Sequence, residues 1–428
     1  MTTPLRIGIA GLGTVGGGVV KIIQKHGKLL AQRGGAGFEI TAVSARSRNK
    51  NRDFDVSAYA WEDDPVAMSR RDDVDIVIEA MGGEDGPAKA AVETALAAGK
   101  HVVTANKAML AHHGQAMAEL AEANSACLRY EAAVAGGIPC VKALGEGLAA
   151  NGMTRVMGVL NGTCNYILTT MEKTGADYAD VLHDAQQLGY AEADPSFDVG
   201  GIDAAHKLAL MASLAFGTKV DFEGVKTEGI DRVSLEDITH AADMGYRVKL
   251  LGVARMHDHG LEQRMQPCLV PVSSSIGVLD GVTNMVVCEG DFVGQTVFTG
   301  SGAGEGPTAS AIVADLVDIA RGVRTPAFGV PAKDLVAANR ATSLTPTAYY
   351  LRLALKDQPG VLAQVTDALG KSGVSIEQMH QNANGGPGAT VLIVTHETTR
   401  DALDEALTAF EASENCLAPP VSLRIETV

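Results

Sequence analysis

Leu5-Arg-Ile-Gly-Ile-Ala-Gly11-Leu-Gly13-Thr14-Val15-Gly16 joins a strand-like apolar run to a helix-like segment through three glycines at fixed spacing. At such a junction Gly11 permits the tight turn, Gly13 lets the backbone approach a pyrophosphate, and Gly16 lets the new helix pack on the strand. The helix opening at Thr14 and Val15 points unpaired N–H groups and its positive dipole end at the phosphates. Alone the triplet is a weak signal. It gains specificity because strand-length apolar runs and helix-period segments then alternate: FEITAVSA (38–45), VDIVIEAM (74–81), residues 87–98, HVVTANK (101–107), residues 108–123 and CLRYEAAV (127–134). Parallel strands need crossover helices and are buried on both faces, so the rhythm predicts an α/β, doubly wound, Rossmann-type nucleotide-binding domain over residues 1–150.

The chain has 428 residues with 51 Asp+Glu against 35 Lys+Arg, a net charge of -16 and 46% hydrophobic residues. At roughly 100–200 residues per domain this length predicts two to three domains. The acidic balance repels phosphodiester backbones and anionic headgroups, so neither nucleic acid nor a membrane is expected as a partner. The six cysteines form no C-x-x-C pair, as suits buried thiols in a reducing compartment. No charged leader precedes the first strand and no apolar run reaches about 18 residues, so a cytoplasmic location is expected.

From residue 151 the rhythm changes. MTRVMGVL (153–160) reads as a strand, 161–173 and 178–188 as helices, 202–215 as a strong helix, and several strands precede Gly300. A second, mixed α+β domain is expected over 151–302. Residues 309–321 have helical apolar spacing after a Gly-rich turn, and the segment at about 303–325 is expected to return to the first domain. Pro326, Pro331 and Pro346 mark 326–346 as a linker. Beyond it, YYLRLAL, VLAQVTDALGKSG, VSIEQMHQ, ATVLIVTH, RDALDEALTAFEA and VSLRIETV run β-α-β-β-α-β over 347–428, the ferredoxin-like split motif. NANGGPG (382–388) is placed for the hairpin turn between its second and third strands.

At the end of the second strand, where a carboxylate would accept the ribose hydroxyls of NAD, the chain has Ser44-Ala-Arg46-Ser-Arg48-Asn-Lys50. Arg46 and Arg48 suit a 2′-phosphate, which favours NADP(H) and leaves NAD open. A second constellation runs from Gly189 through Glu192, Asp194 and Asp198 to Asp203 and Lys207. Asp203 and Lys207 stand four apart at a helix start and share one face. A surface ion pair would explain them, but the helix continues LALMASLAF and must be buried, which leaves charged groups at the mouth of a core element. Lys107 follows HVVTAN at the carboxyl end of the sheet, where open α/β folds bind ligands. Asn161-Gly162-Thr163 supplies either a helix cap or backbone contacts to a substrate. His206, adjacent to Lys207, points away from the shared face and is left out, and no His/Cys spacing suggests zinc.

GLGTVGGGV, TANKAML, YEAAVAGGIP, GVLNGTCNYIL, LGYAEADPSFDVGGIDAAHKLAL and GAGEGPTASAIVADL together resemble, in order and spacing, the homoserine dehydrogenase family over about residues 5–320. The tail with Asp357-Gln358-Pro359-Gly360 is similar to an ACT domain, as in the long form of that enzyme. The resemblance implies reversible NAD(P)-dependent interconversion of L-aspartate 4-semialdehyde and L-homoserine, on the route to threonine and methionine. It implies Lys207 as proton donor, Asp203 and Glu192 as substrate ligands with the backbone of Gly189, and Lys107 in contact with substrate and cofactor. The backbone at Glu131, Val134, Gly136 and Ile138 would hold a monovalent cation, sodium being the expected one, and Gly302 would close over the nicotinamide. Ser301 and Glu305-Gly306 depart from the family pattern and bear only on cofactor contacts. Asp357 and Gly360 would hold an effector, L-threonine, in an ACT domain that pairs by its sheet edges in a homodimer or homotetramer. The alternatives are another dehydrogenase of amino-acid semialdehydes, a non-catalytic metabolite sensor, and a tail that only assists assembly.

Overall fold

The computed structural model describes residues 3–383 and 388–427. A parallel sheet in the order β3-β2-β1-β4-β5-β6 forms the first layer. Its elements are β1 (Leu5–Ala10), α1 (Thr14–Gly34), β2 (Phe38–Ser44), β3 (Ala60–Glu62), α2 (Pro65–Arg70), β4 (Ile76–Glu79), α3 (Pro87–Ala97), β5 (His101–Thr104), α4 (Lys107–Ala123) and β6 (Leu128–Arg129). Ile7, Ile9, Ile76 and Ile78 are fully buried, as central strands covered on both faces require. β3 and α2 carry too short a pattern to stand out in the sequence.

CLRYEAAV is expected to be a strand throughout, yet only Leu128–Arg129 pairs, and Glu131–Ala133 turns into a 3-10 helix. The cause is a buried carboxylate. Glu131 accepts N–H bonds from Val141 at 2.9 Å and Lys142 at 2.8 Å, at the start of α5 (Cys140–Lys142), and its own N–H donates to Asp315 Oδ2 at 3.0 Å. These bonds draw the backbone out of the sheet ladder.

The second sheet contains ten strands in the order β12-β11-β7-β9-β10-β16-β13-β15-β14, with β8 attached to β10. Its first part comprises β7 (Met153–Val159), α6 (Gly162–Thr174), α7 (Tyr178–Gln187), α8 (Ser196–Val199), α9 (Ile202–Phe216), β8 (Lys226–Thr227), α10 (Leu235–Asp243), β9 (Tyr246–His257), β10 (Gly260–Pro271), β11 (Thr283–Gly290) and β12 (Gly294–Ser301). The helix α11 (Glu305–Ala320) then packs back onto α1. Gly18 permits this approach, because a Cβ there would lie 2.9 Å from the Ala309 Cβ.

The last part follows the expected β-α-β-β-α-β order: β13 (Tyr349–Lys356), α12 (Val361–Lys371), β14 (Ile376–Ala383), β15 (Gly388–Thr395), α13 (Arg400–Glu411) and β16 (Val421–Ile425). Residues 384–387 of the expected NANGGPG turn lie outside the described residues. Among the described residues no helix is long and apolar enough to cross a membrane.

β16 pairs in parallel with β10, Cys268 opposite Arg424 and Leu269 opposite Ile425. The tail module thus shares one sheet with the preceding part of the chain. A buried charge network spans the joint: Arg264 Nε donates to Glu262 Oε1 at 2.9 Å, Arg264 Nη2 to Glu426 Oε1 at 2.5 Å, and Arg424 Nε to the same Glu426 oxygen at 2.6 Å. Arg352 on β13 reaches Asp237 of α10 at 2.6 Å, and the Tyr350 hydroxyl donates to Asp237 Oδ1 at 3.1 Å. Residues 326–346 are fastened to α4 of the first layer by Phe328, buried against Gly114, and by the Ala332 N–H, which donates to Glu122, and to the second sheet by the Leu261 N–H, which donates to the Asn339 carbonyl at 2.7 Å.

Removing one member of such a network strands its partners' charge in the interior. Glu426→Ala is expected to lower stability by about 3–5 kcal/mol, read as an earlier transition in urea unfolding; a change within measurement error would show that the network is solvated in solution.

Candidate active site

Gly201 adopts the left-handed conformation (φ 81°) ahead of α9, and from Asp203 to Leu214 every residue of that helix is buried. Its apolar sequence forces it into the core, and Asp203 and Lys207 go with it. The Lys207 ammonium donates to Asp203 Oδ2 at 2.6 Å and to the Leu160 carbonyl at 2.9 Å. The other Asp203 oxygen faces Lys107 Nζ at 3.0 Å. Lys107 is the first residue of α4, a helix capped by the Asn106 side chain, which accepts from the Met109 N–H. Asn161, between β7 and α6, donates through Nδ2 to Asp198 Oδ1 at 2.8 Å and Asp203 Oδ2 at 3.1 Å.

The electrostatics follow from burial and pairing. Burial opposes the charge of Asp203, but Lys207 and Lys107 hold its carboxyl well below the usual range. Burial also works against the Lys107 ammonium, and Asp203 overcomes it, with Asp198 and Glu192 adding to the effect, so that its pKa is raised. Asp198 is pushed up by burial, against which the Asn161 hydrogen bond acts. The cluster can therefore present a proton-bearing lysine beside carboxylates that differ in proton affinity.

Lys207, Asp203 and Lys107 thus meet, and Asp198 and Asn161 join them. Glu192 and Gly189 (φ 76°) lie on the exposed segment between α7 and α8. That segment is tied to α6 by the Thr163 hydroxyl, which donates to the Tyr190 carbonyl at 2.6 Å. Asp198 stands in the quoted constellation, but nothing in its spacing sets it above Asp194, which is exposed and bonds locally to Ser196.

At the carboxyl end of the parallel sheet a cavity of about 750 Å³ is lined by Gly11, Gly13, Arg46, Lys50 and Arg52 among others. Gly11 has φ 99°, and a Cβ on Gly16 would lie 1.9 Å from the Gly11 carbonyl, whereas nothing lies within 4 Å of a Cβ on Gly13. The open space over Gly13, above the start of α1, fits a dinucleotide pyrophosphate. Thr14 lines an adjoining cavity, beside which Lys21 pairs with Asp53 and Glu305, each at 2.6 Å. Val15 is half-buried against the core. Arg46 faces the larger cavity, but Arg48 lies over the Trp61 ring at 6.0 Å, next to Arg52 at 5.4 Å. Lys50 and Arg52 belong to the same basic run and are cavity groups that the strand-end rule alone does not single out.

Glu131, Val134, Gly136 and Ile138 follow one another through a tight turn in which Ala135 (φ 50°) and Gly136 (φ 33°) are both left-handed. The Glu131 carboxylate is occupied by the N–H groups of Val141 and Lys142, and burial together with Asp315 raises its pKa to about 7. Any cation here would rest on backbone oxygens, of which those of Val134 and Ile138 already accept from the Cys140 thiol at 3.5 Å and the Cys140 N–H at 2.7 Å; among the described residues no three His, Cys, Asp or Glu side chains gather as metal ligands. Gly302 packs this turn against β11: a Cβ on Gly136 would come within 2.8 Å of the Gly302 carbonyl, and one on Gly302 would overlap the Asn284 amide. In the tail module Asp357 and Gly360 (φ 88°) line a separate cavity of about 400 Å³ with Gln358, Val361, Gln381 and Val391.

His206 lies on the flank of α9, its ring 4.2 Å from Phe222 and 5.6 Å from that of His112. Burial lowers its pKa from 6.5 to about 4. The unfolded chain protonates this imidazole near its ordinary value while the folded chain does not, so stability falls as pH drops through that window. Thermal melts between pH 7 and 4 are expected to show a smaller acid loss for His206→Phe than for the parent; identical slopes would remove His206 as a cause.

Known proteins resemble the chain over nearly its whole length. Residues 11–131 match the family described as Homoserine dehydrogenase, NAD binding domain, residues 139–317 match Homoserine dehydrogenase, and residues 349–415 match the ACT domain. The chain is 44% identical to a homoserine dehydrogenase of Neisseria gonorrhoeae over 438 aligned residues, covering 99% of both chains. It is 43% identical to that of Pseudomonas aeruginosa, again over 99% of both. The crystal structure of a homoserine dehydrogenase from Thiobacillus denitrificans superposes with a TM-score of 0.94 at 40% identity, covering 99% of this chain and 98% of the other. A nucleotide cavity at a glycine-rich turn, a buried lysine–carboxylate cluster beside it and these full-length likenesses lead to one conclusion: the chain belongs to the homoserine dehydrogenase family, the NAD(P)-dependent oxidoreductases acting on a CH–OH group.

Proposed function

We propose that the cluster around Asp203 interconverts L-aspartate 4-semialdehyde and L-homoserine with Lys207 as the proton donor. The observation that carries this is the Lys207 ammonium, buried and held between Asp203 Oδ2 and the Leu160 carbonyl. The nicotinamide cofactor, when bound, supplies the hydride to the aldehyde carbon. As that carbon gains the hydride its oxygen becomes an alkoxide, and Lys207 stabilises the charge and gives it a proton, completing the alcohol; the lysine regains a proton from solvent. Lys107 contacts substrate and cofactor from the end of the parallel sheet, and Asp203 pairs with both ammonium groups, at 3.0 Å and 2.6 Å. Glu192, the Gly189 backbone and Asp198 receive the substrate's ammonium group. Chemistry through a thiol is disfavoured: Cys164, the cysteine beside the cluster, donates to the Asp198 carbonyl at 3.3 Å, and burial pushes its pKa well up.

Residues 1–150 with 303–325 carry the cofactor, 151–302 the reaction, and 347–428 the effector. Arg46, with Lys50 and Arg52 beside it in the nucleotide cavity, favours NADP over NAD through a charge-assisted contact to the 2′-phosphate. A sodium ion on the backbone of Glu131, Val134, Gly136 and Ile138 would stiffen the turn that packs on Gly302. L-threonine, held by Asp357 and the N–H groups before α12, is the expected feedback effector in threonine and methionine biosynthesis. A homodimer or homotetramer in the cytoplasm completes the reading; β14 and β12 are the edge strands of the second sheet, which pairing between copies would cover.

Lys207→Ala is expected to lower turnover by roughly 10²–10⁴-fold while cofactor affinity stays near that of the parent, followed as NADPH oxidation with aspartate semialdehyde and as a cofactor titration. Unchanged turnover in a folded variant would refute the assignment. Asp357→Ala is expected to abolish threonine inhibition and leave turnover without threonine unchanged; if threonine neither binds nor inhibits the parent chain, the cavity reads another amino acid. The point substitution is the cleaner test, because deleting the module would expose the β10 edge.

A further inference from the structure

Asn161 is the N-cap of α6, its Oδ1 accepting from the Cys164 N–H at 2.9 Å. That role needs only an acceptor, and aspartate or serine fills it as well. The other end of the side chain does something a cap does not require. Nδ2 carries two protons, and it donates to Asp198 Oδ1 at 2.8 Å and to Asp203 Oδ2 at 3.1 Å. The residue is 4% exposed, so water is poorly placed to replace it. The preceding residue, Leu160, offers its carbonyl to Lys207. Two consecutive residues after one strand therefore hold Lys207, Asp203 and Asp198 at once.

We propose that Asn161 is a positioning residue for the reaction: its amide fixes the spacing of the Asp198 and Asp203 carboxylates and, through Asp203, the aim of the Lys207 ammonium at the reacting oxygen. The inference rests on the active-site reading given above. Asp198 and Asp203 repel each other in a buried setting, and a shared donor between them is the simplest arrangement that keeps both close without a proton. The charged and titratable groups that face this amide are Asp198, Asp203 and Lys207; Lys107 adjoins through Asp203, and Cys164 lies on the cap side.

Asn161→Asp and Asn161→Ser separate capping from positioning, because both keep the cap acceptor and neither keeps two N–H donors. Asn161→Ser is expected to melt near the parent and Asn161→Asp, which sets a third carboxyl beside two others, below it, while both fold and bind NADPH as the parent does. Turnover is expected to fall about tenfold in Asn161→Ser and about a hundredfold in Asn161→Asp, with the loss mainly in kcat. In Asn161→Asp the deficit is expected to shrink as pH falls, since the introduced carboxyl, once protonated, regains a donor. Lys207→Ala is measured alongside. If Lys207→Ala is inactive while both Asn161 variants turn over like the parent, the positioning role is wrong and the active-site reading stands; if Lys207→Ala stays active, the active-site reading itself fails. Loss of NADPH binding in both Asn161 variants would make the residue a structural cap and overturn the proposal.

Discussion

One carboxylate, that of Asp203, joins two ammonium groups delivered by separate parts of the chain. Lys207 comes from the same helix, four residues on, and Lys107 from the helix that follows β5 of the parallel sheet. Transfer of each ion from water costs several kcal/mol, and only close pairing with further hydrogen bonds offsets it. The offset is complete here in the sense that both Asp203 oxygens are engaged and Lys207 has a carbonyl besides. The arrangement needs α4 and α9 packed against each other at their starts, so the nucleotide-binding sheet and the buried helix cannot be placed independently. One ion-paired cluster thereby ties the two layers, α4 coming from the parallel sheet and α9 from the part that follows it.

Around the cluster the chain supplies rigidity from short polar links. Asn161 reaches two carboxylates, Thr163 holds the segment bearing Glu192 and Gly189, and the Asn106 cap aims Lys107. Each bond contributes modestly to stability, on the order of 1 kcal/mol. Their greater effect is geometric, since a charge displaced by about 1 Å from its productive place costs far more in rate than in folding energy.

The second sheet extends the same logic to the tail module. β10 is common to both: Arg264 faces the buried network with Glu426 and Arg424, while the next residue, Met265, comes within 3.3 Å of where a Gly201 Cβ would stand, under the start of α9. A module joined by parallel pairing and buried charge pairs is held in register, in contrast to one tethered by a flexible strand of chain. β13, whose end borders the cavity at Asp357, is thus linked through β16 and β10 to the start of α9.

Local order was legible in the residues themselves. The glycine spacing at 11, 13 and 16, the alternation of strands and helices, and the β-α-β-β-α-β tail depend on contacts within a few positions, where periodicity and turn chemistry decide the outcome. The pairing of Asp203 with Lys207 belongs to this class, because i,i+4 on a helix is set by geometry. The partner Lys107, 96 positions earlier, came only from its place at a strand end, and its ion pair is a tertiary fact. Asp198 could not be told from Asp194, since burial separates them and burial is decided by the packing of α8 on α6 and α9. Likewise Arg46 and Arg48 read alike, until the sheet placed one at the cavity and the other over Trp61. CLRYEAAV fails as a strand because Glu131 is drawn to N–H groups ten residues on and to Asp315, a long-range choice that no window of local pattern contains. Sequence alone determined which elements form and which side chains are chemically able; the tertiary structure decided which of them are desolvated together, because only packing removes the water that would otherwise keep their charges apart.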